Sequence, residues 1–226
     1  MKYYIISGEA SGDLHASNLI RHLYQHDEEM DVRAWGGDLM KAQGAHIVKH
    51  YKELSFMGFW EVFKNLKTIL RNLNFCKKDI LDFHPNALIL VDYPGFNMRI
   101  AKFAKSHQIP VYYYISPQVW AWKKNRVYDI KKYVRELYTI LPFEKDFYAK
   151  YNCDVTYLGH PLLDAISTWK KEQESDHLVW KKSGRPLVAL LPGSRSQELQ
   201  KMLPKMMAAF VICSFCPRLY DYHPQA

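Results

Sequence analysis

Asp92 is the residue whose type and place in the chain most directly suggest catalysis. It follows a continuous apolar run at residues 87–91 (Ala-Leu-Ile-Leu-Val), which is typical of a central parallel strand buried on both faces. Ligands of open parallel sheets bind beyond the carboxyl ends of the strands, and a carboxylate there can serve as a general base when burial raises its pKa. The alternative is a turn aspartate before Pro94. The position at a strand end favours the base.

A glycine-bounded turn from Gly8 to Asp13 (Gly-Glu-Ala-Ser-Gly-Asp) follows the first predicted strand and precedes the first predicted helix. Such a turn lets the backbone approach a ligand, and the helix start offers free N–H groups to an anion or a sugar hydroxyl. Its two glycines are four residues apart with none between them, so it is not the G-x-G-x-x-G dinucleotide fingerprint. The alternative is an ordinary turn in which Asp13 complements the helix dipole.

A second loop places Gly193 and Ser194 beside Arg195, three residues before Glu198, at the start of a predicted helix. Backbone donors, a hydroxyl and a guanidinium at a helix start favour an anion such as a diphosphate. The loop lacks the Lys-Ser/Thr of a Walker loop, which disfavours ATP hydrolysis of that type. The alternative is a Ser/Glu helix cap with an exposed arginine.

Aromatic residues mark two further segments. Ser116 and Gln118 precede Trp120 and Trp122, whose rings could stack on a sugar or shield an acyl chain, or could pack a loop onto the sheet. The segment 55–67 carries an aromatic stripe followed by cations, which suits an anionic membrane or acyl chains but is more often a pattern of cores and dimer faces.

Metal and cofactor chemistry find little support. His15 and His160 have no cysteine or carboxylate partners at metal-ligand spacing, and Cys213 and Cys216 form a single C-x-x-C pair without a second. No G-x-S-x-G elbow is present, which disfavours a serine hydrolase. We therefore expect no bound metal and no cofactor.

Strands alternating with helices must position these residues. Apolar β-type runs at residues 2–7, 31–35, 87–91, 110–115 and 136–141 predict strands, and amphipathic segments at 13–25, 97–106 and 123–134 predict helices. This alternation predicts an α/β fold with a Rossmann-like, doubly wound parallel sheet.

A second α/β domain is predicted to begin late in the chain. Residues 167–186 are polar and charged, after which residues 186–191 predict a fresh strand and 197–210 a helix. We expect an N-terminal domain at 1–168, a linker at 169–185 and the first βα unit of an incomplete second Rossmann-like domain at 186–226. A piece this short cannot form an independent core.

Charge and compartment signals are consistent with an anionic partner. Lys and Arg number 31 against 23 Asp and Glu, a formal net charge of +8, which suits a nucleic acid, a phosphate-bearing lipid or a nucleotide without choosing among them. The first apolar run is too short for a signal peptide, no window approaches a membrane span, and four sparse cysteines fit a reducing cytosol.

Taken in order, these motifs resemble the lipid-A-disaccharide synthases, glycosyltransferases of the two-Rossmann-domain (GT-B) type. The similarity runs from residue 1 to about residue 210. The matching segments are 8–13, 36–38, 57–58, 91–97, 114–122, 141–144, 159–161 with Asp164, and 191–195 with Glu198.

The resemblance implies condensation of UDP-2,3-diacylglucosamine with 2,3-diacylglucosamine 1-phosphate, giving lipid A disaccharide 1-phosphate and UDP. It implies a cytoplasmic enzyme held peripherally at the anionic surface of the inner membrane of a Gram-negative bacterium, with no nucleic-acid partner and with a homodimer as one option. It assigns Asp92 as the base, and the remaining residues in three groups. The substrate would contact Gly8, Glu9, Ser11, Gly12, Asp13, Asn97, Ser116, Gln118 and Trp120, UDP would contact Gly193, Ser194, Arg195 and Glu198, and the acyl chains or membrane would contact Phe56, Met57, Phe59, Trp60 and Phe63.

One departure from the family pattern concerns the second Rossmann half, most of which this chain lacks. We therefore expect a truncated or frameshifted product with little activity alone. Two alternatives stay open: another GT-B enzyme acting on a UDP-amino sugar, such as a muramyl-type transferase or a UDP-sugar 2-epimerase, and a non-catalytic remnant that binds lipid or a partner.

Overall fold

A computed structural model describes residues 1–54, 66–172, 188–193 and 196–214. Contacts divide the chain into two compact units, Met1–Glu174 and Ser175–Ala226. The boundaries predicted at 1–168, 169–185 and 186–226 stay a prediction.

Seven strands and eight α-helices are described in the first unit. The strands are β1 (Lys2–Ser7), β2 (Asp31–Gly36), β3 (His46–His50), β4 (Ala87–Val91), β5 (Val111–Tyr114), β6 (Glu136–Thr139) and β7 (Thr156–Tyr157). The helices are α1 (Ala10–Tyr24), α2 (Asp38–Ala42), α3 (Leu66–Phe83), α4 (Pro94–Ser106), α5 (Val119–Trp122), α6 (Arg126–Tyr133), α7 (Pro142–Ala149) and α8 (Leu162–Glu172). A 3-10 turn spans Tyr51–Glu53.

The strands form one parallel sheet in the order β3-β2-β1-β4-β5-β6-β7. The first strand lies in the middle, so the chain winds outward to β3 and then returns to build β4 to β7 on the other side. The predicted doubly wound parallel sheet is confirmed. Its strand order reverses between β1 and β4, which makes the carboxyl ends of these two strands the topological switch point.

The core lies on both faces of the sheet. Side chains alternate along each strand, so Leu88 and Leu90 of β4 pack with α3, α4 and α6, whereas Ile89 and Val91 pack with α1 and α2. All five residues of β4 are buried, as the continuous apolar run predicted. The sheet is therefore a rigid platform for the loops that leave its carboxyl edge.

The second unit contributes one described helix, α9 (Ser196–Ser214), which has Pro204 in its interior. The strand predicted at 186–191 is wrong over its described part, because residues 188–193 are in neither helix nor strand. A strand needs a hydrogen-bonded neighbour, and within the described ranges the seven-stranded sheet does not include this segment. The helix predicted at 197–210 is confirmed.

Some predicted bounds differ from the structure for local reasons. Helix α4 begins at Pro94 rather than at residue 97, since proline with its fixed φ fits the first helical turn. The helix predicted from residue 123 begins at Arg126, after a turn. In the part of the chain that the structure describes, no helix is both long enough and apolar enough to cross a bilayer.

Candidate functional site

The backbone is left-handed at three non-glycine residues that end central strands. Asp92 has φ 44° and Tyr93 has φ 47° directly after β4, and Ile115 has φ 67° directly after β5. The other described non-glycine residues with positive φ, His84, Gln108 and Asn152, follow helix ends, where such a residue is a common cap. Left-handed backbone is unfavourable for a side chain with a Cβ, and most of all for a β-branched isoleucine. Strain of this kind concentrates at functional sites.

Asp92 lies at the switch point, where its main-chain carbonyl is held from two sides. The Tyr113 hydroxyl donates to this carbonyl at 2.6 Å, and the Asn97 side-chain Nδ2 donates to it at 2.8 Å. The Asp92 residue itself is half-buried at the cleft. The structure thus places the predicted base where the sequence placed it, at the end of a buried strand.

The glycine turn after β1 closes against the Asp92 loop. A Cβ built on Gly8 would lie 2.4 Å from Cγ of the Tyr93 ring, so only glycine lets the two loops approach this closely. Together the loops line a shallow surface cleft. The residues at the cleft are Gly8, Glu9, Ser11 and Gly12 from the first loop and Val91, Asp92 and Tyr93 from the second. Four predicted substrate residues are therefore brought to Asp92.

Asp13 supports the site from inside. Its carboxylate is 2% exposed and accepts three backbone N–H bonds, from Gly37 at 2.7 Å, Leu39 at 3.1 Å and Met40 at 3.2 Å. It therefore ties the first glycine turn to the start of α2. A carboxylate that accepts three backbone N–H bonds orients the glycine turn after β1. The predicted contact of Asp13 with substrate stays a prediction.

Asn97 is also turned inward. It is fully buried, and its Nδ2 bonds the carbonyls of Val91 at 3.3 Å and Ile6 at 3.4 Å besides that of Asp92. Its amide nitrogen thus joins the ends of β1 and β4, and its predicted contact with substrate stays a prediction.

The segment after β5 holds Ser116 and Gln118 in a loop and Trp120 in the short helix α5. The Ser116 hydroxyl is buried and lies 2.7 Å from the Tyr148 hydroxyl of α7, whereas Gln118 is exposed. The Trp120 ring meets the Phe143 ring edge-on with centroids 5.1 Å apart. Of these three residues, Gln118 is the one fully open to a ligand.

Buried polar atoms without a hydrogen-bond partner mark the same edge of the sheet. Among the described residues they are His15 Nδ1, Asn97 Oδ1, Trp120 Nε1 and Glu144 Oε1. They lie in the segments that follow β1, β4, β5 and β6, which are adjacent strands. Because unsatisfied buried polar groups are rare and costly, their grouping at the carboxyl ends of these strands supports a binding function there.

Sequence reasoning missed His15, Tyr113 and Glu144 as parts of this region. Burial lowers the pKa of His15, and the charge of His160 lowers it further. Glu144 is fully buried, and its Oε2 accepts the N–H groups of Ile140 at 3.1 Å and Leu141 at 2.9 Å at the start of α7. In the sequence, the Leu-Pro-Phe-Glu motif at 141–144 is the feature that could have indicated a role for Glu144.

The remaining predicted residues belong to the second unit or fall outside the described residues. Gly193 is left-handed with φ 107°, and a Cβ there would lie 2.4 Å from Glu198 Oε2, so the loop before α9 is closely packed. Ser194 and Arg195 lie outside the described residues, as do Phe56, Met57, Phe59, Trp60 and Phe63. A cavity of about 380 Å³ lies at the opposite edge of the sheet, beside Lys105 and Arg135, and is remote from Asp92.

Comparison with known proteins identifies sequence relatives. A family model described as "Lipid-A-disaccharide synthetase" matches residues 3–215. The chain is 38% identical over 215 residues to a lipid-A-disaccharide synthase of Syntrophus aciditrophicus, covering 94% of this chain and 56% of that protein. It is 38% identical over 203 residues to that of Geobacter metallireducens, covering 90% and 53%. It is 36% identical over 201 residues to lipid-A-disaccharide synthase 1 of Legionella pneumophila strain Lens, covering 88% and 52%. The chain thus spans about half the length of these curated relatives.

Solved structures share the fold. A UDP-GlcNAc 2-epimerase from Neisseria meningitidis, crystallised with UDP-GlcNAc, superposes with a TM-score of 0.57 at 13% identity, covering 78% of this chain and 50% of that chain. Another UDP-N-acetylglucosamine 2-epimerase superposes with a TM-score of 0.54 at 15% identity, covering 74% and 50%. At these identities the likeness is one of fold alone.

Proposed function

The chain belongs to the lipid-A-disaccharide synthetase family, and from that premise we propose that it carries the base-bearing half of a glycosyltransferase. The proposed reaction condenses UDP-2,3-diacylglucosamine with 2,3-diacylglucosamine 1-phosphate. The products are lipid A disaccharide 1-phosphate and UDP. The single observation that carries the proposal is the strained Asp92 at the switch point of the sheet.

Asp92 acts as the general base in this proposal. The 6-hydroxyl oxygen of the acceptor attacks the anomeric carbon of the donor sugar while the Asp92 carboxylate takes the hydroxyl proton. The bond from the anomeric carbon to the phosphate oxygen breaks, its electron pair leaves with UDP, and the configuration at that carbon inverts. A half-buried carboxylate on a rigid strand end fits this task because its position is fixed before substrate binds.

The other residues would bind and orient the sugars. Glu9 and Ser11 are exposed beside Asp92, and the backbone at Gly8 and Gly12 lines the same cleft. Gln118 is open to solvent after the neighbouring strand. We assign these groups to the sugar hydroxyls and the acyl-bearing ring. The assignment of UDP to Gly193, Ser194, Arg195 and Glu198 stays a prediction, in which the guanidinium offsets the charge that develops on UDP.

A peripheral place on the cytoplasmic side of the inner membrane follows from the substrates, which carry acyl chains and phosphate. The net charge of +8 suits an anionic bilayer surface. Flotation with vesicles tests this: the chain should rise with vesicles containing anionic phosphatidylglycerol, and equal flotation with neutral vesicles contradicts it. The homodimer stays an option that sedimentation measures.

Release of UDP tests the activity. We would assay the chain itself and a fusion to the part of the Syntrophus aciditrophicus relative that it does not match. We expect the fusion to release UDP when the diacylated donor and the diacylated acceptor are both present. Replacing the donor with plain UDP-GlcNAc should abolish release, since the acyl chains supply binding energy. Release of UDP from UDP-GlcNAc would favour a different UDP-amino-sugar enzyme. If neither the chain nor the fusion released UDP from the diacylated donor, the result would contradict the proposal.

A further inference from the structure

The backbone at Asp92 and Tyr93 needs support from its surroundings. Two consecutive non-glycine residues with φ of 44° and 47° are left-handed, a conformation that L-residues avoid because Cβ crowds the carbonyl oxygen. Such a conformation persists only when neighbouring contacts hold it. The direction in which the Asp92 side chain points depends on these dihedral angles, so whatever holds the backbone also aims the carboxylate.

Two fully buried side chains hold this backbone. The Tyr113 hydroxyl and the Asn97 amide both donate to the Asp92 carbonyl oxygen, at 2.6 and 2.8 Å. Asn97 also reaches the carbonyls at the ends of β4 and β1, at 3.3 and 3.4 Å. The carbonyl is therefore fixed to strand β5 through Tyr113 and to strands β4 and β1 through Asn97.

Tyr113 keeps its proton at neutral pH. Burial raises the pKa of Tyr113 well above its ordinary value, and the negative charge of Asp92 raises it further. The hydroxyl is consequently able to donate to the Asp92 carbonyl, as its distance of 2.6 Å from that oxygen indicates.

The same contacts place the loop after β4 against the glycine turn after β1. The left-handed Tyr93 places its ring where a Cβ on Gly8 would collide with it, and this ring stacks on Phe96 with centroids 5.5 Å apart. A change in the Asp92 and Tyr93 dihedrals would therefore move both the carboxylate and the wall of the cleft.

We propose that Tyr113 and Asn97 are positioning residues that hold the Asp92 carboxylate in its reactive orientation by binding the main-chain carbonyl of Asp92. The expected effect on kcat rests on the proposed function. The expected effect on the backbone conformation of Asp92 does not, and it can be measured in the chain alone.

The first test uses the substitution Tyr113→Phe with Tyr4→Phe as its matched control. Tyr4 is equally buried, lies on a neighbouring part of the sheet, and its hydroxyl donates at 2.7 Å to Asp79, away from Asp92. In the fusion that releases UDP, Tyr113→Phe should lower kcat about tenfold or more and leave the acceptor KM within about twofold, because misorientation affects the chemical step. Tyr4→Phe should leave kcat unchanged.

The second test reads the backbone by NMR in the chain itself. The three-bond coupling between amide and α protons and the carbonyl carbon shift report positive φ at Asp92 and Tyr93. We expect both signatures to move toward ordinary values in Tyr113→Phe and in Asn97→Leu, whereas the signature at Asn152, which also has positive φ, stays in place. Unchanged signatures at Asp92 in both variants would overturn the proposal.

The two tests separate the inference from the function. If the wild-type fusion released no UDP, the proposed function would fail while the NMR result would still decide whether Tyr113 and Asn97 hold Asp92. If UDP is released and Tyr113→Phe keeps the wild-type kcat, or if Tyr4→Phe loses as much, the positioning role is wrong.

Discussion

Asp92 and Tyr93 after β4, and Ile115 after β5, depart from the backbone conformations that residues with a Cβ prefer. Asp92, Tyr93 and Ile115 each pay a cost of roughly 1–3 kcal/mol for left-handed or sparsely populated backbone. The bonds of Tyr113 and Asn97 to the Asp92 carbonyl offset part of it. Among the described residues, every non-glycine residue with positive φ lies outside the strands, so the central strands keep regular geometry beneath the site.

His15 should make the free energy of unfolding depend on pH. Burial lowers the pKa of His15 in the folded chain below the ordinary value of 6.5. In the pH range between the lowered pKa and 6.5, the unfolded chain therefore binds a proton that the folded chain does not bind. The free energy of unfolding should therefore fall as the pH falls through this range. Urea unfolding at about pH 7.5 and about pH 5.5 measures the difference, which should be smaller in His15→Gln than in the wild type.

The matched control is His22→Gln, which changes an exposed histidine on the same helix. It should keep the pH difference of the wild type. A His15→Gln variant with the full wild-type difference would show that His15 is not the responsible group.

Sequence reasoning reached Asp92 because a continuous apolar run is followed directly by a carboxylate, and both facts are local. It did not predict a role for Tyr113, which in the sequence looks like any other aromatic residue of a strand. The role of Tyr113 depends on which distant atoms its hydroxyl contacts, and the sequence does not show those contacts. Sequence reasoning also assigned Asp13 and Asn97 to substrate contact, but composition does not reveal that the Asp13 carboxylate accepts backbone N–H groups or that the Asn97 Nδ2 donates to backbone carbonyls.

At the scale of elements, the site depends on how closely two loops approach. The turn after β1 and the turn after β4 meet at the reversal of strand order, with Gly8 against the Tyr93 ring. Helix α2 is tied to the same place through the Asp13 carboxylate. The turns after three adjacent strands, β2, β1 and β4, are thus brought together at one edge of the sheet.

Gly8→Ala tests this packing. Its new methyl group would begin 2.4 Å from the Tyr93 ring, so the loops must separate. We expect a loss of about 1–3 kcal/mol in the free energy of unfolding, the usual cost of overpacking, measured by urea titration. The control is Gly95→Ala, where a Cβ meets nothing within 4 Å; it should be neutral or stabilising by up to about 1 kcal/mol. Equal effects of the two substitutions would contradict the close approach.

The elements differed in how well periodicity predicted them. The strands β1, β2, β4, β5 and β6 were found because central parallel strands are continuous apolar or β-branched runs. Strand β3, whose residues are exposed or half-buried, and the two-residue β7 were not, because edge strands carry little hydrophobic pattern. The strand predicted at 186–191 shows the converse: an apolar run becomes a strand only beside a partner.

In the molecule as a whole, the described sheet is a seven-stranded parallel platform with its candidate base at the switch point, in a chain that spans about half the length of its curated relatives. The surplus of 31 Lys and Arg over 23 Asp and Glu adds a positive field that suits acylated, phosphorylated sugars at an anionic surface. In the proposed reaction, Asp92 takes the proton of the acceptor hydroxyl.

The rate of UDP release by the Asp92→Asn variant of the fusion tests that claim most directly. The substitution keeps the size of the side chain and removes its ability to accept a proton. We predict that kcat falls about a hundredfold or more, the usual contribution of a general base, while the acceptor Kd measured by calorimetry changes by less than about threefold. An Asp92→Asn variant that is folded, binds the acceptor and releases UDP at the wild-type rate would contradict the account.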